Sequence, residues 1–274
     1  MERILQELNR RDLPYTITEH ENGSVILFAM GYTPFLYQKN QFEIDAFYIA
    51  SNKAYNLCKS LASLVEGAVP SPHINYKAFA EKSGLGVRGK NDLIFTQKFG
   101  SLCTLGAVFV DGVKTTKKLV SPEIPCNVCG KCVQKCPTCA LKDGFCRPLC
   151  LRDQFDKGLD QKNIPLLSKS ILGCNICSTS CPKNKFEPVL PPKDFSDFLI
   201  ADNFFDKAIK GRREMSLLGD YIGTNYVRPS KLLTFAVYSI NNVECDRERW
   251  LEKLKDYPDE RVRVAAVRMK DDKN

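Results

Sequence analysis

The pattern of apolar and polar positions changes character along the chain. Ser24-Val-Ile-Leu-Phe-Ala-Met is a short apolar run after Gly23, and it predicts a buried strand. Ala50, Ala54, Leu57, Cys58, Leu61 and Leu64 then recur at helical spacing, so a helix is expected to end near Gly67. A second helix is expected over 76–82, stopped by Ser83-Gly84, followed by strands at Leu93-Ile-Phe-Thr and Leu105-Gly-Ala-Val-Phe-Val. Helices alternating with strands suggest a layered sheet with helices on its faces. Beyond residue 190 the pattern is helical only. Leu232, Leu233, Ala236, Val237 and Ile240 share one face, and Trp250, Leu251 and Leu254 mark a short helix. Pro258-Asp-Glu is a helix start, after which Val262, Ala265, Ala266 and Met269 keep helical spacing. Two short helices in this order look like one unit of a helical repeat.

Three parts are therefore expected: an α/β part over 1–118, a cysteine-rich part over 119–190 and a helical part over 191–274. Prolines at Ser121-Pro122 and in Pro188-Val-Leu-Pro-Pro punctuate the edges of the middle part. Composition adds bounds. The 274 residues are 43% hydrophobic and 26% charged, which excludes a mostly disordered or collagen-like chain. No apolar run approaches the ~18–20 residues of a membrane span. Met1-Glu-Arg-Ile-Leu-Gln-Glu-Leu has no signal-peptide core, so a cytoplasmic protein without a membrane partner is expected. The net charge of +8 allows an anionic partner without requiring one.

Cysteine usage changes the picture most. Ten of the 13 cysteines fall between Cys126 and Cys181. An odd number without an export signal argues against a disulfide framework and for metal binding. One run reads Cys126-x2-Cys129-x2-Cys132-x3-Cys136-Pro137 and the other Cys174-x2-Cys177-x3-Cys181-Pro182. The first is the spacing that wraps a [4Fe-4S] cubane, in which the cysteine before proline ligates a second cluster. By analogy with two-cluster ferredoxins, Cys126, Cys129, Cys132 and Cys181 would hold one cluster, and Cys136, Cys174 and Cys177 three corners of another. Cys146 and Cys150 are the candidates for its fourth ligand, and Cys139 is spare. A four-cysteine zinc site from Cys126, Cys129, Cys174 and Cys177 is the alternative, but zinc needs neither Cys132 nor the two Cys-Pro endings. Cys58 and Cys103 read as buried small hydrophobes, and Cys245 has no partner motif.

Ala80-Glu-Lys-Ser-Gly-Leu-Gly-Val-Arg-Gly-Lys-Asn91 is the second unusual stretch. Gly84, Gly86 and Gly89 permit close ligand approach, and Arg88 and Lys90 add positive charge. A helix cap followed by a loop explains the same residues. Glycine spacing and the helix-before-strand order exclude a P-loop and a dinucleotide fingerprint.

This loop, Phe99-Gly-Ser101, the strand ending Phe109-Val-Asp111, the run from Cys126 to Pro137, Cys150, and Gly173-Cys-Asn-Ile-Cys-Ser-Thr-Ser-Cys-Pro182 together resemble the epoxyqueuosine reductase family. That family is a cobalamin-dependent, double [4Fe-4S] enzyme of tRNA modification. The resemblance implies an α+β chain: an N-terminal α/β cobalamin-binding-like sandwich, a ferredoxin-like domain with two clusters and a small helical, HEAT-like tail. It prefers Cys150 to Cys146, because in the family the cysteine between the runs precedes a short helical stretch, which Cys150-Leu-Arg-Asp-Gln-Phe matches. It implies a cobalamin near Gly84, Leu85, Gly86, Arg88, Gly89, Lys90, Asn91 and Ser101. It also implies an external electron donor of the flavodoxin or ferredoxin type, and tRNA as a partner. The family carries an acidic proton donor fourteen residues before the first glycine of the loop, where this chain has Pro70. His73 is the nearby candidate for a general acid. An electron-transfer or corrinoid-reducing protein without substrate chemistry of its own is the alternative reading.

Overall fold

The computed structural model describes residues 1–121, 129–137, 141 and 168–271. The chain packs into two compact units, each built from separate stretches. One comprises Met1–Thr33, Ile49–Cys136 and Ile176–Phe186; the other comprises Pro34–Tyr48, Pro137–Asn175 and Glu187–Asn274. Within 119–190, the described residues 129–136 and 176–186 belong to the first unit and 168–175 and 187–190 to the second.

The first unit is built on an antiparallel sheet of β1 (Tyr15–His20), β2 (Gly23–Gly31), β7 (Cys103–Asp111) and β4 (Val69–Pro70), in that spatial order. The apolar run of β2 is continuous because both faces of the sheet are covered, and successive side chains point to opposite faces. Ile26 and Phe28 face one side, with Ile17, Val108 and Val110. Ile4 and Leu8 of α1 (Glu2–Arg10) cover that side together with Ala54, Leu57, Cys58 and Leu61 of α2 (Ala46–Ala62). Each such leucine or isoleucine contributes roughly 1.5–3 kcal/mol when fully buried. Val25, Leu27 and Ala29 face the other side, with Ala107, Ala80 of α3 (Tyr76–Ser83), Leu85 and Ile94. Gly106 lies under the Phe28 ring, where a Cβ would stand 2.3 Å from the ring, so the strand keeps glycine there. The expected strands at 24–30, 93–96 and 105–110 and the helices through Cys58 and over 76–82 are all present. The sequence reading did not name α1 or β1.

The second unit is mostly helical. A short parallel pair joins β3 (Glu43–Ile44) to β8 (Ser170–Leu172). Phe42 meets Phe204 and Phe205 edge-on, while Trp250 stacks on Phe205 and donates its indole N–H to Asp202. Helices α6 (Lys193–Phe198), α7 (Ala201–Lys210) and α8 (Ser216–Ile222) precede the three read from the sequence, which run Pro229–Tyr238 (α9), Arg247–Leu254 (α10) and Glu260–Asp271 (α11). Helix α11 packs against both α9 and α10. The Asp259 carboxylate accepts from the Arg261 N–H at its start. Among the described residues no helix is long and apolar enough to cross a membrane.

Candidate functional site

The stretches 129–136 and 176–181 of the cysteine runs form two short helical turns in the first unit. Gly130, in the left-handed region at φ +61°, turns the chain into α4 (Lys131–Lys135) and accepts from the Val133 and Gln134 N–H groups. Cys129 precedes that turn, Cys132 is buried within it, and Cys136 ends it in an extended conformation. In the other run, α5 (Ile176–Thr179) carries Cys177, and the Cys181 N–H then donates to Ser178 O. Helix α4 packs against α5, so segments more than forty residues apart in sequence lie side by side.

Cys129, Cys132, Cys136, Cys174, Cys177 and Cys181 are present as thiols rather than disulfides. Soft thiol donors on two adjoining turns fit iron–sulfur ligation by donor chemistry. Among the described residues no three His, Cys, Asp or Glu side chains converge to hold a metal ion. Cys126, Cys139, Cys146 and Cys150 lie outside the described residues, so one expected ligand of each four-cysteine set does too.

Cys174 sits in the second unit, just after Gly173, whose φ is +86° and whose Cβ would stand 2.6 Å from that of Asp45. The Asp45 carboxylate accepts from the Phe47 N–H at the start of α2 and from the Cys174 N–H. Burial is the largest influence on it and pushes its pKa up to about 6, against those two hydrogen bonds.

The glycine loop is held by its own unit. Gly84 ends α3 at φ +76°, and a Cβ there would lie 2.0 Å from Leu119 O. At Gly86 a Cβ would meet Ile94 Cγ2 at 2.5 Å and Phe95 O at 2.8 Å, because the loop folds onto its own hairpin. That hairpin pairs β5 (Val87–Arg88) with β6 (Ile94–Phe95). Gly89 closes it, its N–H donating to Leu93 O and its carbonyl accepting from Asp92 N–H. Leu85 belongs to the core, and Asn91 accepts from the Leu93 N–H through its side chain. Arg88 pairs with Glu81 at 3.0 Å and with Asp92 at 3.2 Å. Arg88 and Lys90 are both exposed. Ser101 is buried; its N–H donates to Asn184 Oδ1 and its hydroxyl accepts from Asn184 Nδ2. These residues fit a helix cap and hairpin, and none of their buried side-chain polar atoms is without a partner; among the described residues, Ser239 Oγ is the buried side-chain atom without one.

Pro70 occupies the two-residue edge strand β4, opposite Val108. His73 is exposed in the turn between β4 and α3. Cys58 is fully buried, as expected, and burial raises its thiol pKa. Burial pushes Cys103 up to about 12; its sulfur lies 3.7 Å from Gly100 O and 3.8 Å from Ile94 O. Burial, with Asp202 and Asp246 nearby, pushes Cys245 up to about 12 as well.

Asn184 and Asp45 were missed by sequence reasoning. Neither belongs to a spacing motif. The available signals were the position of Asn184 three residues after Cys181 and that of Asp45 directly before a helix.

No family model matches the chain. An epoxyqueuosine reductase of Listeria monocytogenes is 33% identical over 129 residues, covering 44% of this chain and 32% of that protein. The chain thus matches about a third of the length of such curated relatives. A solved epoxyqueuosine reductase of Streptococcus thermophilus superposes with a TM-score of 0.72 at 18% identity, over 98% of this chain and 88% of that one. A crystal structure of an epoxyqueuosine reductase with an epoxyqueuosine-modified tRNA stem loop gives 0.63 at 19% identity, over 90% of this chain and 72% of that one.

Proposed function

We propose, for a chain that is a divergent member of the epoxyqueuosine reductase family, an iron–sulfur oxidoreductase working in the cytoplasm. The observation that carries the reading is the packing of α4 against α5, which gathers cysteines of both runs on adjoining turns. Cys126, Cys129, Cys132 and Cys181 would hold one [4Fe-4S] cluster, and Cys136, Cys150, Cys174 and Cys177 the other. Clusters with all-cysteine ligation leave no iron position open, so they supply electron carriage rather than substrate binding. Electrons would enter from a flavodoxin- or ferredoxin-type donor.

The family resemblance adds a cobalamin at Gly84 to Asn91 and Ser101, which would supply the substrate-reducing chemistry when bound. In the protein itself, Arg88 and Lys90 are the loop's exposed cations for such a ligand, and His73, three residues after Pro70, is an exposed acid-base group. The substrate class is a modified tRNA base, as the relatives' names suggest, with the HEAT-like tail as the tRNA-facing part.

A second reading is an electron-transfer protein without substrate chemistry of its own. It is favoured by Pro70 at the acid's position and by the engagement of the glycine loop within its own unit.

The test is an anaerobic titration of cluster-loaded protein with cobalamin, followed by optical and EPR spectra, then turnover on epoxyqueuosine-containing tRNA. Binding with a shifted cobalt signal and turnover supports the first reading. Intact clusters without cobalamin binding support the second.

A further inference from the structure

We propose that Asn184 is a positioning residue for Cys177 and Cys181, clamping the turn that carries them onto the Gly100-Ser101 loop of the sheet. The proposal rests on the reading that these cysteines hold a cluster.

Helix α5 has four residues, too few to hold itself by helix propagation. Its place must come from outside contacts, and the Asn184 amide provides them with all its polar groups. Oδ1 accepts the Ser101 N–H at 2.9 Å. Nδ2 donates to Ser101 Oγ at 2.8 Å and to Ser178 O at 2.7 Å. The Asn184 N–H donates to Cys181 O at 3.1 Å. The residue therefore grips the backbone beside Cys177 through its side chain and at Cys181 through its main chain.

The other half of the clasp is rigid. Gly100 and Thr96 exchange N–H and C=O hydrogen bonds at 3.0 and 2.9 Å, tying the loop to the end of β6. Gly100 has φ +58°, and a Cβ there would lie 2.2 Å from Asn184 Oδ1. Ser101 and Ser178 are both buried, so these bonds are shielded from water. Ser101, expected from the resemblance to meet a cofactor, is engaged in this clasp through its N–H and its hydroxyl.

The test uses the full chain, reconstituted anaerobically, as wild type, Asn184→Ala and Ser101→Ala. The readouts are the rate of iron loss to a chelator, the low-temperature EPR spectrum of the reduced protein and the midpoint potentials. In Asn184→Ala, both clusters are expected to lose iron about tenfold faster than wild type, with altered EPR signals, because Cys177 and Cys181 belong to different clusters in the reading above. Ser101→Ala removes one of the bonds but spares its N–H, and about a threefold effect on both clusters is expected. If Asn184→Ala does not fold, Ser101→Ala decides. Wild-type spectra, potentials and loss rates in a folded variant, even with a lowered Tm, would reduce Asn184 to a structural staple and overturn the proposal. A wild-type protein that takes up no iron would instead overturn the cluster reading beneath it, and this is seen before any variant is made.

Discussion

The glycine loop and the cysteine runs both stand out in the sequence, but the fold accounts for them differently. In the loop, the unusual residues have a use within their own unit: Gly84 against Leu119, Gly86 against Phe95, and Arg88 between Glu81 and Asp92. The described parts of the cysteine runs form turns of five and four residues, and the spacing of their cysteines is that of cluster ligation. Residues that packing explains need no ligand to explain them. Residues that packing does not explain direct attention to chemistry, and soft thiols at cluster spacing specify which.

The largest effect expected from this contrast is on iron. Replacing Cys132 or Cys181 by alanine should lower the iron content from about eight per chain to about four, as one cubane is lost. Gly84→Ala should leave iron unchanged. Cys150→Ala separates the two candidates for the remaining ligand: a variant that keeps about eight irons would exclude Cys150 and favour Cys146.

The second effect is on stability. Gly84→Ala must place a side chain at φ +76° against Leu119 O, and should cost roughly 1–3 kcal/mol, read as a lowered denaturant midpoint. An unchanged midpoint would mean that the loop is not held by its own packing.

The third is on thiol reactivity. In iron-free protein at pH 8, iodoacetamide should label exposed Cys129 well before Cys103, whose thiol burial pushes up to about 12. Peptide mass spectrometry over a time course checks the order, and equal rates would contradict it.

The smallest effect lies in the helical unit, away from both features. The Arg261 guanidinium holds Asp259 at about 2, below its usual carboxylate range. A depressed folded-state pKa contributes stability above the unfolded value, near 4, that is lost as pH falls toward 2. The pair is near the surface, so Asp259→Ala should cost about 1 kcal/mol or less at pH 7 and clearly less near pH 2. Urea titrations at the two pH values check this.

The strand at β2 was legible because a continuous apolar run bounded by glycine fits a strand covered on both faces. The end of α3 was legible because Ser83-Gly84 is a local stop signal. Helix α1 went unread because it buries only Ile4 and Leu8, with Leu5 half-buried, amid charged neighbours. Helices α6 and α7 carry a signal in Phe195, Phe198, Phe204 and Phe205, all buried. The pairing of β3 with β8 joins residues more than a hundred apart, and no local period encodes such a contact. The candidate ligands were legible for a different reason: cluster ligation constrains spacing along the chain. Asn184 was not, because a side-chain clasp constrains only position in space.

The most direct test of the central claim is iron and acid-labile sulfide per chain after anaerobic reconstitution, read together with the EPR spectrum of the dithionite-reduced protein. Two clusters predict about eight of each and a spectrum of two interacting [4Fe-4S] centres. About one tightly held zinc, with no sulfide and no EPR signal, would contradict the account.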